Sequence, residues 1–209
     1  MELYRTIRQE ACEIQIIERS RFIARAKPVF SREEAEEFLA EIRNEHKDAT
    51  HNVPAMIIGN SGQIQWASDD GEPQGTSGPP MLQFLASQGL TNLIVVVTRY
   101  FGGIKLGTGG LVRAYTSSAK MAIEAAGICS VCEGYRVSAV VDYSHLARIQ
   151  SAGADEGACF GIEDINYGEK VTIDLIADSE NLEKTENMLA NITSGTCKII
   201  GTEKTLIKR

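Results

Sequence analysis

Three carboxylates, Asp69, Asp70 and Glu72, lie close together in the stretch SDDGEPQGTSGPP, residues 68–80. This stretch is too rich in glycine and proline for a helix or a strand, so it predicts a shaped loop. Clustered carboxylates can bind Mg²⁺, act as a general acid and base, or pair with nearby cations. No histidine or nucleophile lies nearby in the sequence, and we favour ion pairing, with a metal site as the alternative.

A second glycine-rich loop, FGGIKLGTGG, follows the apolar run LIVVVTRY of residues 93–100. That run predicts a strand buried on both faces, and a helix with the sequence LVRAYTSSAKMAIEAAG is predicted after the loop. A loop between a strand and a helix start attracts anions through unpaired N–H groups and the helix dipole. The candidate anion- or nucleic-acid-binding residues are Arg99, Gly102, Gly103, Lys105, Gly107, Gly109, Gly110 and Arg113.

The glycine loop matches neither a Walker A motif nor GxGxxG, which argues against classical nucleotide hydrolysis. Its glycines can also be structural, because they permit positive φ and close helix–sheet contact. If the acidic loop positions the basic loop, the carboxylates of the acidic loop pair with Arg99, Lys105 and Arg113 and hold the two loops together.

The elements that position these loops can be predicted from local patterns. Residues 12–29 indicate two strands joined by a turn. A helix is expected from Ser31 to about Lys47, because Ser31 and Glu34 form a capping box. Two strands form a hairpin around NSG at residues 60–62, and a helix capped by Ser77 precedes Gly89.

The second half of the chain has a different pattern. ICSVCEG, residues 128–134, is interpreted as a hinge, and short units then follow in the order βαββαβ. That order is typical of a ferredoxin-like α+β sandwich. We therefore predict an α+β protein with two domains, residues 1–128 and residues 134–209.

Composition narrows the functional classes. The 209 residues carry a net charge of −7, no stretch approaches the roughly 20 apolar residues that span a bilayer, and the N-terminus has no secretory pattern. We expect a cytoplasmic protein without membrane contact.

Five scattered cysteines fit reduced thiols. Cys129 and Cys132 form a CxxC that is interpreted as part of the linker, because no further zinc ligands match it.

Two long segments resemble a known family. SDDGEPQGTSGPPM and VVVTRYFGGIKLGTGGLVRAY, with DATHN at residues 48–52, are similar to the signature of the Impact/YigZ family, also called UPF0029. The resemblance covers essentially the whole chain. It implies an N-terminal ribosomal-protein-type β-α-β fold like domain IV of elongation factor G, and a ferredoxin-like second domain like that factor's domain V.

The resemblance also bears on function. Eukaryotic relatives are linked to control of translation during amino-acid starvation, although they carry a different extra domain, and for bacterial members it implies no settled reaction. After His51 and Asn52 a cysteine or an aromatic residue is expected, and this chain has VPAM instead. His51 is therefore expected as a core or turn residue or as a ligand.

Three functional hypotheses follow. The first is a non-enzymatic protein that binds RNA or the ribosome through the Arg99, Lys105 and Arg113 surface. The acidic net charge argues partly against it, but residues 1–128 without their acidic helix are about balanced in charge. The second is a metal-assisted hydrolase or transferase acting on a phosphorylated small molecule, with Mg²⁺ on the acidic loop. The third is a regulator that docks a protein partner.

Overall fold

A computed structural model describes residues 2–209 of the chain. The protein contains two antiparallel sheets, and the first of them holds the acidic and basic loops. The protein is of the α+β class, with five helices among these residues. The chain divides into two compact units. One comprises residues 4–130, and the other comprises residues 2, 3 and 131–209.

The sheet of the first unit has the strand order β2-β3-β6-β4-β5. Its strands are β2 (Ala11–Ile17), β3 (Ser20–Pro28), β4 (His51–Ile58), β5 (Ile64–Ala67) and β6 (Leu93–Tyr100). The predicted buried strand is β6, which lies at the centre and is buried from Leu93 to Arg99. A central strand has neighbours on both edges and helices on both faces, which explains its uninterrupted apolar sequence.

Helices cover the two faces of this sheet, and alternate residues of β6 pack against the helices on each face. Val95 and Val97 belong to the core formed with α2 (Gly78–Ser87) and α3 (Gly107–Ala126). Ile94 and Val96 belong to a separate core formed with α1 (Arg32–Glu45). The period-2 alternation of a strand separates these two cores.

Helix α1 begins where the capping box predicts. The Ser31 hydroxyl accepts from the Glu34 backbone N–H at 3.2 Å, and the Glu34 carboxylate accepts from the Phe30 N–H at 2.7 Å. Two backbone donors that the helix itself leaves unpaired are thereby satisfied.

Helix α3 begins earlier than the sequence predicts. Residues 107–110, expected as part of the glycine loop, form its first turn. Glycine has a poor intrinsic helix propensity, but here the apolar face further along the helix decides the conformation. Leu111, Ala114, Tyr115, Ser118 and Ala119 of that face are buried against the sheet.

The second unit has the predicted βαββαβ order. Its elements are β7 (Ile128–Val141), α4 (Tyr143–Ala154), β8 (Gly161–Tyr167), β9 (Val171–Asp178), α5 (Leu182–Ile192) and β10 (Lys198–Lys208). Strands β8, β9, β7 and β10 are neighbours in that order, and β1 (Glu2–Ile7) also pairs with β7. α5 begins after Asn181.

Residues 128–134, interpreted as a hinge, contain the boundary between the two compact units, which lies between Ser130 and Val131. They are not an irregular linker, because they form the first half of β7, and Cys129, Val131 and Cys132 are buried in it. Burial of alternate apolar side chains stabilises the strand, although its cysteines and glycine resemble a linker in sequence.

No helix within residues 2–209 has the length and apolar character needed to cross a membrane.

We predict that limited digestion with a glutamate-specific protease cuts after Glu156 before it cuts after Glu133. Glu156 lies in an exposed turn, whereas Glu133 has an exposed side chain but lies within β7. Proteases require local unfolding of the backbone, and turns unfold more readily than paired strands. Mass spectrometry of early fragments measures the order. Early cleavage after Glu133 would support the hinge instead.

Candidate functional site

A buried ion pair joins the acidic loop to strand β6. Glu72 is 8% exposed and Arg99 is 5% exposed, and Arg99 Nη1 lies 2.6 Å from Glu72 Oε1. Arg99 Nη2 also donates to Ser20 Oγ at 3.3 Å. A charge removed from water is strongly destabilising unless it has a partner, so each ion requires the other. Arg99 is therefore held inside the domain and is not a surface cation.

Tyr115 of α3 completes this pair. Its hydroxyl donates to the same Glu72 Oε1 at 2.7 Å, and its ring packs edge-to-face on Phe22 with centroids 5.3 Å apart. Burial raises the pKa of Tyr115 far above its usual value, and the hydrogen bond and negative charge of Glu72 act in the same direction. The phenol is thus a neutral donor, and it ties α3 to the acidic loop.

Asp69 closes the acidic loop on itself. Its Oδ2 accepts from the Gly75 N–H at 2.8 Å, and its Oδ1 accepts from the Ser77 N–H, the Ser77 hydroxyl and the Gly78 N–H at 3.1, 2.7 and 3.0 Å. Burial acts to raise the pKa of Asp69, but these hydrogen bonds outweigh it and hold the pKa below its usual value. Asp69 thereby supplies the cap of α2 that was predicted for Ser77, whose side chain makes no cap bond.

Asp70 holds an unusual backbone conformation. Its φ is +48°, which is sparsely populated by residues other than glycine. Its Oδ1 accepts from Arg43 Nη2 at 2.7 Å, and its Oδ2 accepts from the Asn52 N–H at 2.7 Å. His51 Nδ1 donates to the Asp70 carbonyl at 2.8 Å. These contacts compensate for the strain and fix the loop to α1 and β4.

His51 also approaches the buried pair from the other side. Its Nε2 lies 3.7 Å from Glu72 Oε2. Because Nδ1 donates to a carbonyl, the neutral ring carries its lone pair on Nε2. His51 was expected as a core or turn residue or as a ligand, and it is the first residue of β4, half-buried beside the acidic loop.

The first two glycines of the basic loop have different structural roles. A Cβ at Gly102 would lie 2.1 Å from the backbone of Arg19, so the loop crosses the β2–β3 turn at a distance that only glycine allows. A Cβ at Gly103 would meet nothing within 4 Å, but its φ of +85° favours glycine.

The N-terminal turn of α3 is rich in glycine and is not capped. Gly107 has a φ of +70°, and a Cβ built on Gly109 would lie 3.5 Å from Arg113 Nη1. The Arg113 guanidinium therefore lies over the first turn. No side chain caps this terminus, and Gly110 lies within the same first turn.

A cleft of about 380 Å³ lies between the two loops. Glu72 and Arg99 line it together with Phe101, Lys105 and Gly107. A neighbouring groove of about 470 Å³ is lined by Lys105, Arg113 and Glu18, among others. Lys105 belongs to both, so the start of α3 separates two concave surfaces.

The structure brings only part of the predicted site together. Glu72 and Arg99 form the expected kind of pair, but Asp69 bonds to its own loop and Asp70 bonds to Arg43. Lys105 forms no ion pair with any of the three carboxylates, and neither does Arg113. Within residues 2–209 no group of three histidine, cysteine, aspartate or glutamate side chains is arranged to hold a metal ion.

The sequence analysis did not identify the role of Tyr115. The signal was present, because Tyr115 lies four residues after Leu111 and four before Ala119 on the apolar stripe of α3. A tyrosine on such a stripe is buried, and a buried phenol needs a hydrogen-bond partner. Ser20 gave no comparable signal.

Comparison with known proteins identifies the family. The model of the Impact N-terminal domain matches residues 18–123, and that of a domain of unknown function, DUF1949, matches residues 140–196. The IMPACT family member YvyE of Bacillus subtilis is 35% identical over 206 residues, which cover 99% of this chain and 94% of that protein. The chain belongs to the IMPACT family.

Other similar proteins match part or most of the chain. YigZ of Escherichia coli is 43% identical over 112 residues, covering 53% of this chain and 55% of that protein. A crystal structure of a hypothetical protein has a TM-score of 0.60 at 30% identity and covers 97% of this chain and 98% of its own. A structure described as the two-domain translational regulator Yih1 covers 59% of this chain and 47% of its own at 27% identity, with a TM-score of 0.36.

We predict that Glu72→Gln lowers the free energy of unfolding by about 3 to 5 kcal/mol, because Arg99 is then a buried cation without its counter-charge. Tyr115→Phe removes one donor but leaves the ion pair, so a smaller loss of about 1 to 2 kcal/mol is expected. Urea denaturation measures both. Equal stability of Glu72→Gln and the parent would mean that the pair is not a structural requirement.

We further predict that Asp69→Asn destabilises the protein at pH 7 and has less effect in acid. The folded-state pKa of Asp69 is depressed, so its stabilisation is present above the unfolded value of about 3.9 and is lost as pH falls through the folded value. An amide also places an NH₂ group against N–H donors of the loop. Melting temperatures of parent and variant between pH 7 and pH 2.5 should converge, and a gap that is constant with pH would contradict the assignment.

Proposed function

We propose that this chain is a non-enzymatic protein that associates with RNA or the ribosome, in a role linked to regulation of translation or to a stress response, and that it contacts phosphates at the start of α3. One observation carries the proposal. Lys105 and Arg113 are both exposed and flank the uncapped terminus of α3, and neither forms an ion pair within residues 2–209. Exposed cations beside free backbone N–H groups favour a phosphate.

The distribution of charge in the first unit supports this proposal. Residues 4–130 carry 13 lysine and arginine residues and 14 aspartate and glutamate residues, so their net charge is −1. Six of the acidic residues lie on α1, on the face of the sheet opposite α3. By contrast α2 has no charged residue, and Glu124 is the single acidic residue of α3. The acidic whole-chain charge is therefore compatible with a locally basic face.

The proposal includes the likeness to elongation factor G. The first unit would correspond to its domain IV and the second to its domain V, a ferredoxin-like sandwich. The βαββαβ order and the strand neighbours β8, β9, β7 and β10 support the second correspondence. A protein with this pair of domains would be suited to a ribosomal site.

The two alternatives make different demands on the molecule. A metal-assisted hydrolase or transferase needs clustered ligands, whereas the oxygens of Asp69 and Asp70 already accept hydrogen bonds within the domain. Bound Mg²⁺ would have to rearrange the loop. A protein-interaction regulator needs no cationic surface at α3, so charge removal there distinguishes it from an RNA-binding protein.

We predict that Lys105→Ala and Arg113→Ala each weaken association with RNA or ribosomes and reduce the slope of log K against log salt by about one unit. Lys120→Ala is the matched control, because it removes the same charge from an exposed position of α3 where Lys120 pairs with Glu124. Fluorescence anisotropy and ribosome sedimentation at several salt concentrations measure the effect. If both variants bind RNA and ribosomes like the parent at every salt concentration, the protein-partner or enzymatic alternative is favoured over RNA binding at this surface.

A further inference from the structure

The cleft between the loops has the size of a site for one small group. Its volume of about 380 Å³ lies near the lower end of the range for small-ligand pockets, about 300 to 1,000 Å³. A base-paired RNA helix is too wide to enter such a cleft, and duplexes are bound across their outer surface. An RNA chain that uses the cleft must therefore place a single projecting nucleotide in it.

Part of the lining of the cleft is suited to an anion. Lys105, Gly107 and Thr108 line it at the uncapped start of α3. A second, independent feature lies in the same lining. Arg99 is 95% buried, and its Nε–H is a buried donor without a partner within residues 2–209, although both of its terminal nitrogens are paired. A buried donor without an acceptor is destabilising. Because this Nε atom has almost no accessible surface, a ligand oxygen would satisfy it only after a small shift of the lining.

Other residues of the lining are apolar or aromatic. Phe101 lines the cleft with 47% of its surface exposed, although most large apolar side chains of this unit are buried. Leu106 and Leu111 also belong to the lining. The Arg99 guanidinium lies 5.4 Å from the centroid of the Phe101 ring. An exposed aromatic ring beside cations is the arrangement on which nucleic-acid bases stack.

We infer that the cleft accepts one unpaired nucleotide of single-stranded RNA, with its base against Phe101 and its phosphate at the start of α3. This inference rests on the proposed function and narrows its partner from RNA in general to unpaired RNA. The groove lined by Lys105 and Arg113 adjoins the cleft at Lys105, so it offers the neighbouring phosphates positions along α3.

The test compares two forms of one RNA. A fluorescein-labelled 12-nucleotide single strand and the same strand annealed to its complement are titrated with the full chain. The parent should bind the single strand more tightly. Phe101→Leu, which keeps an apolar side chain without an aromatic face, should weaken single-strand binding about 5- to 150-fold, the range for loss of one stacked base. Phe101→Tyr should restore it, and circular dichroism melting controls for folding.

The outcomes separate this inference from the proposed function. If the parent binds both RNA forms equally, with the expected salt slope, and Phe101→Leu matches it, unpaired-nucleotide recognition is wrong while RNA binding stands. If the parent binds neither form and sediments without ribosomes, the proposed function itself fails. If uridine monophosphate binds as tightly as the 12-nucleotide strand, the cleft takes a free nucleotide and the inference is overturned.

Discussion

The ion pair between Glu72 and Arg99 is the contact on which the arrangement of the site depends, because its two members are buried charges from a loop and a strand that lie 27 residues apart in the chain. Glu72 lies in a glycine- and proline-rich loop, and Arg99 lies at the end of the central strand. Tyr115 adds α3 to the same carboxylate, and Ser20 adds β3 to the same guanidinium. Two buried charges thus hold one loop, two elements of the sheet and a helix in a single arrangement.

This arrangement also determines which charges remain for a partner. Glu72 pairs with Arg99 and Asp70 pairs with Arg43, whereas Asp69 accepts hydrogen bonds from uncharged donors of its own loop. Lys105, which lines the cleft, and Arg113, which lines the neighbouring groove, remain exposed at the surface. Exposed charges of this kind contribute to the potential of a cleft. The residues that build the site are therefore different from those proposed to contact a ligand.

Much of the fold follows from local patterns, and much of the site does not. The apolar run of β6, the capping box of α1 and the βαββαβ order are all present because each depends on residues close in sequence. The start of α3 at Gly107 and the strand at residues 128–134 were mispredicted, since tertiary packing outweighs weak local propensity there. Ion pairing by the acidic loop was foreseen, but adjacent carboxylates point in different directions, so sequence could not show that Glu72 alone meets Arg99.

The strained backbone at Asp70 has a consequence for how the cleft behaves in solution. Both carboxylate oxygens and the carbonyl of that residue are engaged by α1 and β4, so the loop cannot relax without breaking several contacts together. Loops at binding sites are commonly the least stable parts of a protein. Here the wall of the cleft is preorganised, and little conformational entropy remains to be lost on association. Recognition should accordingly resemble a rigid docking event, limited by encounter rather than by loop closure.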